Sequence, residues 1–121
     1  MMRIAVSSQG TELSSNVDPR FGRAPYFIIF DTGDESFKVI NNEQNVNAAQ
    51  GAGVQTAQRI AGEKVDMVVS GNLGPRAFQI ITAAGVKSAL LADGTVSQAV
   101  ELARNNKLEV RDSANVGGHW M

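Results

Sequence analysis

The sequence predicts an α/β domain with a five-stranded mixed sheet and three or more helices packed on it. Three observations carry that expectation. Apolar runs of strand length recur along the chain, from Arg3–Ser8 to Val86–Leu91. Two of them, Tyr26–Asp31 and Ser36–Asn41, flank Thr32-Gly33-Asp34-Glu35, a turn sequence suited to a β-hairpin. Beyond Gly53 the apolar spacing becomes helical and alternates with short continuous apolar runs. A strand, a hairpin and then helix–strand units imply a mixed sheet carrying helices.

Each element has its own signal. Arg3–Ser8 reads as a buried first strand, and residues 9–24 as a long polar loop holding Arg20 and Arg23. After the hairpin, Asn42–Gln50 is Asn-rich and irregular. From Gly53 to Gly62, Val54, Ala57 and Ala61 share one helical face. Val65–Ser70 is a continuous apolar strand, and Gly71-Asn72-Leu73-Gly74-Pro75 turns into a helix that Pro75 opens. That helix is expected to bury Ala77, Phe78, Ile81 and Ala84 and to close at Gly85. Val86–Leu91 is the last strand. Asp93-Gly94-Thr95 caps a helix with Val96, Ala99, Val100 and Ala103 at i, i+3, i+4 and i+7.

At 121 residues, 43% apolar and 19% charged, residues 1–121 are expected to form one globular domain, with a flexible tail over 109–121. A chain of this size buries roughly two-thirds of its unfolded surface. The net charge of −1 provides no positive field for a nucleic-acid backbone. With no cysteine there is neither a disulfide framework nor a thiolate site, and the one histidine excludes a multi-His metal site within one subunit. Met1–Ser8 turns polar too soon for a signal peptide, and no apolar run approaches the ~20 residues that span a bilayer. The expectation is a cytoplasmic protein, a monomer or weak homodimer, without membrane contact.

The order of elements has a consequence for function. If the first strand runs upward, the hairpin runs down and up, and each helix returns the chain to the bottom through a right-handed crossover. The loops 9–24, 42–53, 71–75 and 92–95 then share the carboxyl edge, where open α/β sheets bind ligands. They hold Arg20, Gly22, Arg23, Gly51, Gly53, Asn72 and Gly74, and Arg76 follows in the next turn. Arg20, Arg23 and Arg76 supply donors for an anion, and the glycines either admit a ligand to the backbone or simply make turns. Helices beginning at that edge would add unpaired N–H groups and positive dipole ends. The ligand class left open is a phosphate ester, a carboxylate or an anionic metal–sulfur cluster.

Other motifs carry less. Gly51-x-Gly53 has Thr56 where a dinucleotide fingerprint requires glycine, and it does not follow a strand. Ser70 lies near the position of a nucleophile elbow but lacks the preceding glycine and a nearby histidine; a buried small polar residue is expected there. Asp31-Thr32-Gly33 copies an aspartic-protease tripeptide but fits the hairpin turn. No acid, base or nucleophile with a partner is visible, so no enzymatic activity is expected. His119, in the tail Gly117-Gly118-His119-Trp120-Met121, is either part of a disordered terminus or a single imidazole ligand to a metal cluster.

Taken in order, these residues resemble the dinitrogenase iron–molybdenum cofactor biosynthesis family. The resemblance rests on Arg20-Phe21-Gly22-Arg23-Ala24-Pro25-Tyr26-Phe27, Gly51-Ala52-Gly53, the run from Val65 through Ser70-Gly71-Asn72-Leu73-Gly74-Pro75-Arg76-Ala77, Gly85-Val86 and Gly94-Thr95-Val96. It spans about Arg3 to Leu108. It implies a ribonuclease H-like fold and an accessory domain that binds, carries or protects a preassembled metal–sulfur cofactor: the iron–molybdenum cofactor, its precursor or a related iron–sulfur cluster. The implied partners are cofactor donor and acceptor proteins. Many relatives place His before the Phe-Gly pair, where this chain has Arg20. A regulatory or scaffold domain that binds a small anionic metabolite or a partner protein is the other reading.

Overall fold

The centre of the sheet is the strand with the longest buried run. Ile4, Ala5 and Val6 are fully buried, and in the computed structural model, which describes residues 2–47 and 51–111, they form the core of β1 (Arg3–Ser8). The antiparallel hairpin β2 (Tyr26–Asp31) and β3 (Ser36–Asn41) lies on one side of β1. On the other side lie β4 (Met67–Ser70) and β5 (Lys87–Leu90), both parallel to it. The sheet order β3-β2-β1-β4-β5, with β2 alone reversed, is the predicted five-stranded ribonuclease H-like arrangement. Helices α1 (Ala52–Ala61), α2 (Pro75–Ala83) and α3 (Val96–Arg104), with a 3-10 turn over Glu43–Asn45, complete the described fold.

Alternation along the strands divides the core in two. Ala5, Phe27, Ile29, Ile40 and Val68 face α1 and α2, meeting Ala57, Ile60, Ala77 and Ile81. Ile4, Val6, Ile28, Phe30, Met67 and Val69 face the other way, onto Val96, Ala99, Val100 and Ala103 of α3. A sheet covered on both faces needs apolar residues at successive positions, which accounts for the unbroken runs in β1 and β4. The hairpin turn is held locally. Gly33 donates its N–H to Asp31 Oδ1 at 2.8 Å. Ser36 donates both its hydroxyl and its N–H to Asp34, which holds that carboxyl below its ordinary pKa.

The structure corrects several details. α1 begins one residue earlier than expected, and its buried side is Gly53, Thr56, Ala57 and Ile60, while Val54 and Ala61 are only half-buried. Hydrogen bonds to Thr56 from the neighbouring loops turn the helix to that face. Ala84 is exposed because α2 ends at Ala83 and Gly85 follows at φ +79°. β4 starts at Met67: Val65 is buried outside the ladder, after Lys64 at φ 58°. At the start of the tail, Val110 bridges Ala89, and Arg111 donates its N–H to Ser88 O at 2.8 Å along the outer side of β5. His119 and Trp120 lie outside the described residues. No helix among the described residues is long and apolar enough to cross a membrane.

Since β1, β3, β4 and β5 point the same way, their carboxyl ends share one edge. The chain leaves β1 toward β2 and leaves β4 toward β5, so the crevice between β1 and β4 is the topological switch point at which such sheets bind ligands.

Candidate functional site at the carboxyl edge

β1 and β4 both end in serine, and Ser7 and Ser70 are buried with their hydroxyls 2.9 Å apart. Ser7 also bonds the backbone of Asp18 at both ends: its Oγ donates to Asp18 O, and its carbonyl accepts the Asp18 N–H, each at 2.8 Å. The polar β1–β2 loop is therefore drawn down into the switch-point crevice. Pro19 follows, so close to Gly71 that a Cβ on Gly71 would stand 2.5 Å from Pro19 Cα. Asn72 Nδ2 donates to Pro19 O at 2.8 Å, joining the β4–α2 loop to the same segment.

Arg20 emerges above this plug. The carboxylate of Asp18, only 2% exposed, accepts from the Arg20 N–H at 2.8 Å and from Arg20 Nε at 3.4 Å. A buried carboxylate is costly unless paired, and these donors pair it. Bonding through Nε orients the guanidinium while the side chain stays 46% exposed. Phe21 then dives into the core, and Arg23 Nη1 donates to Val46 O at 3.3 Å, across the β3–α1 connection.

At Gly22 the missing side chain makes room for neighbouring backbone. A Cβ there would stand 2.7 Å from both the N and Cα of Gly53 in the first turn of α1. Gly22 and Gly53 are thus brought together, and the room at Gly22 is taken by backbone. Behind this contact lies a polar cluster that sequence reasoning missed: Asn42, Asn45 and Thr56, each no more than 2% exposed. The only available signal was an Asn-rich stretch, which reads equally well as an irregular loop.

The amino ends of α1 and α2 share this edge, and both are preceded by glycine. Gly51, at φ +79°, and Gly74 occupy the N-cap positions and have no side chain to accept the first-turn N–H groups. Neither helix has an acidic residue in its first turn. α3 differs: Thr95 and Gln98 close a full capping box over its amino end. Among the described residues, none beyond its own chain neighbours comes within 4 Å of where a Cβ on Gly51 would point. Arg76 is exposed in the first turn of α2. A separate cleft of about 340 Å³ lies further along the edge, between Gln9, Asn16, Pro19, Asp93 and Gly94, and does not include the arginines. Among the described residues, no three His, Cys, Asp or Glu side chains gather in a group that could hold a metal ion.

Comparison with known proteins places this geometry in a family. Residues 2–106 match the family described as dinitrogenase iron–molybdenum cofactor. The chain is 35% identical to the orange protein of Desulfovibrio gigas, solved in its apo form, with a TM-score of 0.91 over 96% of this chain and 98% of that one. A putative NifB protein from Thermotoga is also 35% identical, with a TM-score of 0.83 and the same coverage. An uncharacterised protein of Methanocaldococcus jannaschii is 27% identical over 111 residues, 90% of this chain and 91% of the relative.

Proposed function

Because this chain belongs to the dinitrogenase iron–molybdenum cofactor family, we propose that its carboxyl edge binds an anionic metal–sulfur cofactor as cargo, without turning it over. The cargo is the iron–molybdenum cofactor, its precursor or a related iron–sulfur cluster, received from one protein and passed to another. The observation that carries this reading is the pair of glycine N-caps, Gly51 and Gly74, at the edge whose loops hold Arg20 and Arg23 and where Arg76 lies in the first turn of α2.

The chemistry follows from those groups. First-turn N–H groups without an N-cap acceptor donate to an anion, and the dipoles of α1 and α2 favour its charge. Arg20, oriented by Asp18, and Arg23, tied to Val46, add fixed cationic forks. Arg76 adds a third charge from the other helix. Among the described residues Gly51 puts no side chain before α1, whereas Gly22, Gly53 and Asn72 serve the site by holding its loops together. The described residues hold such a cluster by hydrogen bonds and charge, and the assignment of His119 as a metal ligand lies outside them.

Anaerobic titration with tetrathiomolybdate or an iron–sulfur species, followed by desalting, metal analysis and visible absorbance, tests this function. Stoichiometric colour retained by the wild type and lost in the Arg20→Ala/Arg23→Ala double variant is the expected result. Full retention by the double variant overturns the site. No retention by the wild type under oxygen-free conditions overturns the cofactor reading in favour of a phosphorylated or carboxylated metabolite or a partner protein.

A further inference from the structure

We propose that Asn42, Asn45 and Thr56 are positioning residues for this edge, which set the arginine loop against the amino end of α1. The proposal rests on the anion-binding reading above and extends it to residues that face away from the ligand. Every carbonyl flanking Arg23 on either side is held by this cluster or by its backbone. Thr56 Oγ1 donates to Gly22 O at 3.0 Å. Asn42 Nδ2 donates to Ala24 O at 2.9 Å and to Gly22 O at 3.3 Å. The Asn42 N–H donates to Pro25 O at 2.8 Å. Asn45 Nδ2 closes the cluster on Asn42 Oδ1 at 2.9 Å, and Arg23 itself reaches Val46 on the same connection.

Three buried polar side chains are an expensive way to fill space that apolar groups would fill without desolvation. What they provide is a single geometry, because a satisfied polar network permits one arrangement where an apolar contact permits several. Here that geometry fixes the Gly22–Gly53 approach, and through it the placement of Arg23 relative to the first-turn N–H groups of α1. An anion held by both needs them at a constant separation. Loosening the loop therefore weakens binding even where the fold is retained.

Thr56→Val keeps the shape and removes the hydroxyl; Thr56→Ser restores the hydroxyl. Without any ligand, hydrogen exchange of the amides of residues 20–24 is expected to rise in Thr56→Val, with protection of β1 and β4 unchanged, and to return in Thr56→Ser. Unchanged exchange over residues 20–24 overturns the positioning role, whatever the protein binds. With tetrathiomolybdate as probe, Thr56→Val is expected to lose about tenfold in affinity, the scale of one net hydrogen bond, and Thr56→Ser to recover it. Wild-type affinity in a Thr56→Val protein with a loosened loop overturns the proposal. If Thr56→Val does not fold, Asn45→Leu, at the outer member of the cluster, gives the same readouts. Failure of the wild type itself to bind tetrathiomolybdate overturns the anion reading and leaves the exchange result to decide the positioning role.

Discussion

Pro19 and Gly71 meet backbone to backbone: a Cβ on Gly71 would lie 2.5 Å from Pro19 Cα and 2.8 Å from Pro19 O. The contact closes the crevice between β1 and β4 with the protein's own chain, so the arginine loop sits over the switch point.

Gly71→Ala should therefore destabilise the protein, since the new Cβ is fixed by its own backbone and meets the backbone of Pro19, so neither can rotate away. Overpacking of this kind costs about 1–3 kcal/mol, and each kcal/mol lowers the melting temperature of a domain this size by about 4 °C. Gly62→Ala is the control. Gly62 ends α1 at φ −70°, and a Cβ there would have 3.4 Å to its nearest neighbour, Arg59 O. That substitution should be neutral or stabilise by up to about 1 kcal/mol. Thermal unfolding of the two variants checks both.

Phe21 lies inside the arginine motif but is a core residue. Its ring is 2% exposed and meets the buried Phe27 edge to face, with centroids 5.2 Å apart. Phe21→Ala is expected to cost about 3–5 kcal/mol, a large share of the roughly 5–15 kcal/mol that holds a typical domain. Phe21→Leu keeps most of the apolar volume and should cost less, about 1–2 kcal/mol. Urea denaturation midpoints separate the two, and a Phe21→Ala protein as stable as wild type would show that the loop is not anchored through this ring.

Asp18→Asn removes a buried negative charge while keeping an oxygen to accept from the Arg20 N–H and Nε. A buried carboxylate beside an anion site repels the bound charge, by an amount that falls with distance and dielectric. The variant is thus expected to bind an anionic probe more tightly, by up to about tenfold, with the gain shrinking as salt rises. A loss of affinity in titrations at low and high salt would mean that the carboxylate orients Arg20 in a way the amide cannot replace.

The elements, their order and the shared edge were legible in the sequence because they follow from periodicity and turn chemistry, both local. Tyr26–Asp31 and Ser36–Asn41 match the observed hairpin residue for residue, and Val96, Ala99, Val100 and Ala103 are all buried as their spacing predicts. The α/β class and the placing of the loops after β1, β3 and β4 at one edge follow from chain direction alone. Only the tertiary structure decided that Gly22 admits Gly53 and that Gly71 admits Pro19. It also showed Asp18 to be the buried counter-charge of Arg20, and Asn42, Asn45 and Thr56 to form a polar core. The glycine contacts and the bonds of Asn42 and Thr56 to residues 22–24 join segments distant in the chain, and the Asp18–Arg20 pair, though local, is buried only because Ser7 draws the loop into the crevice. A glycine or an asparagine looks the same in sequence whether its neighbour in space is solvent, a ligand or another stretch of backbone.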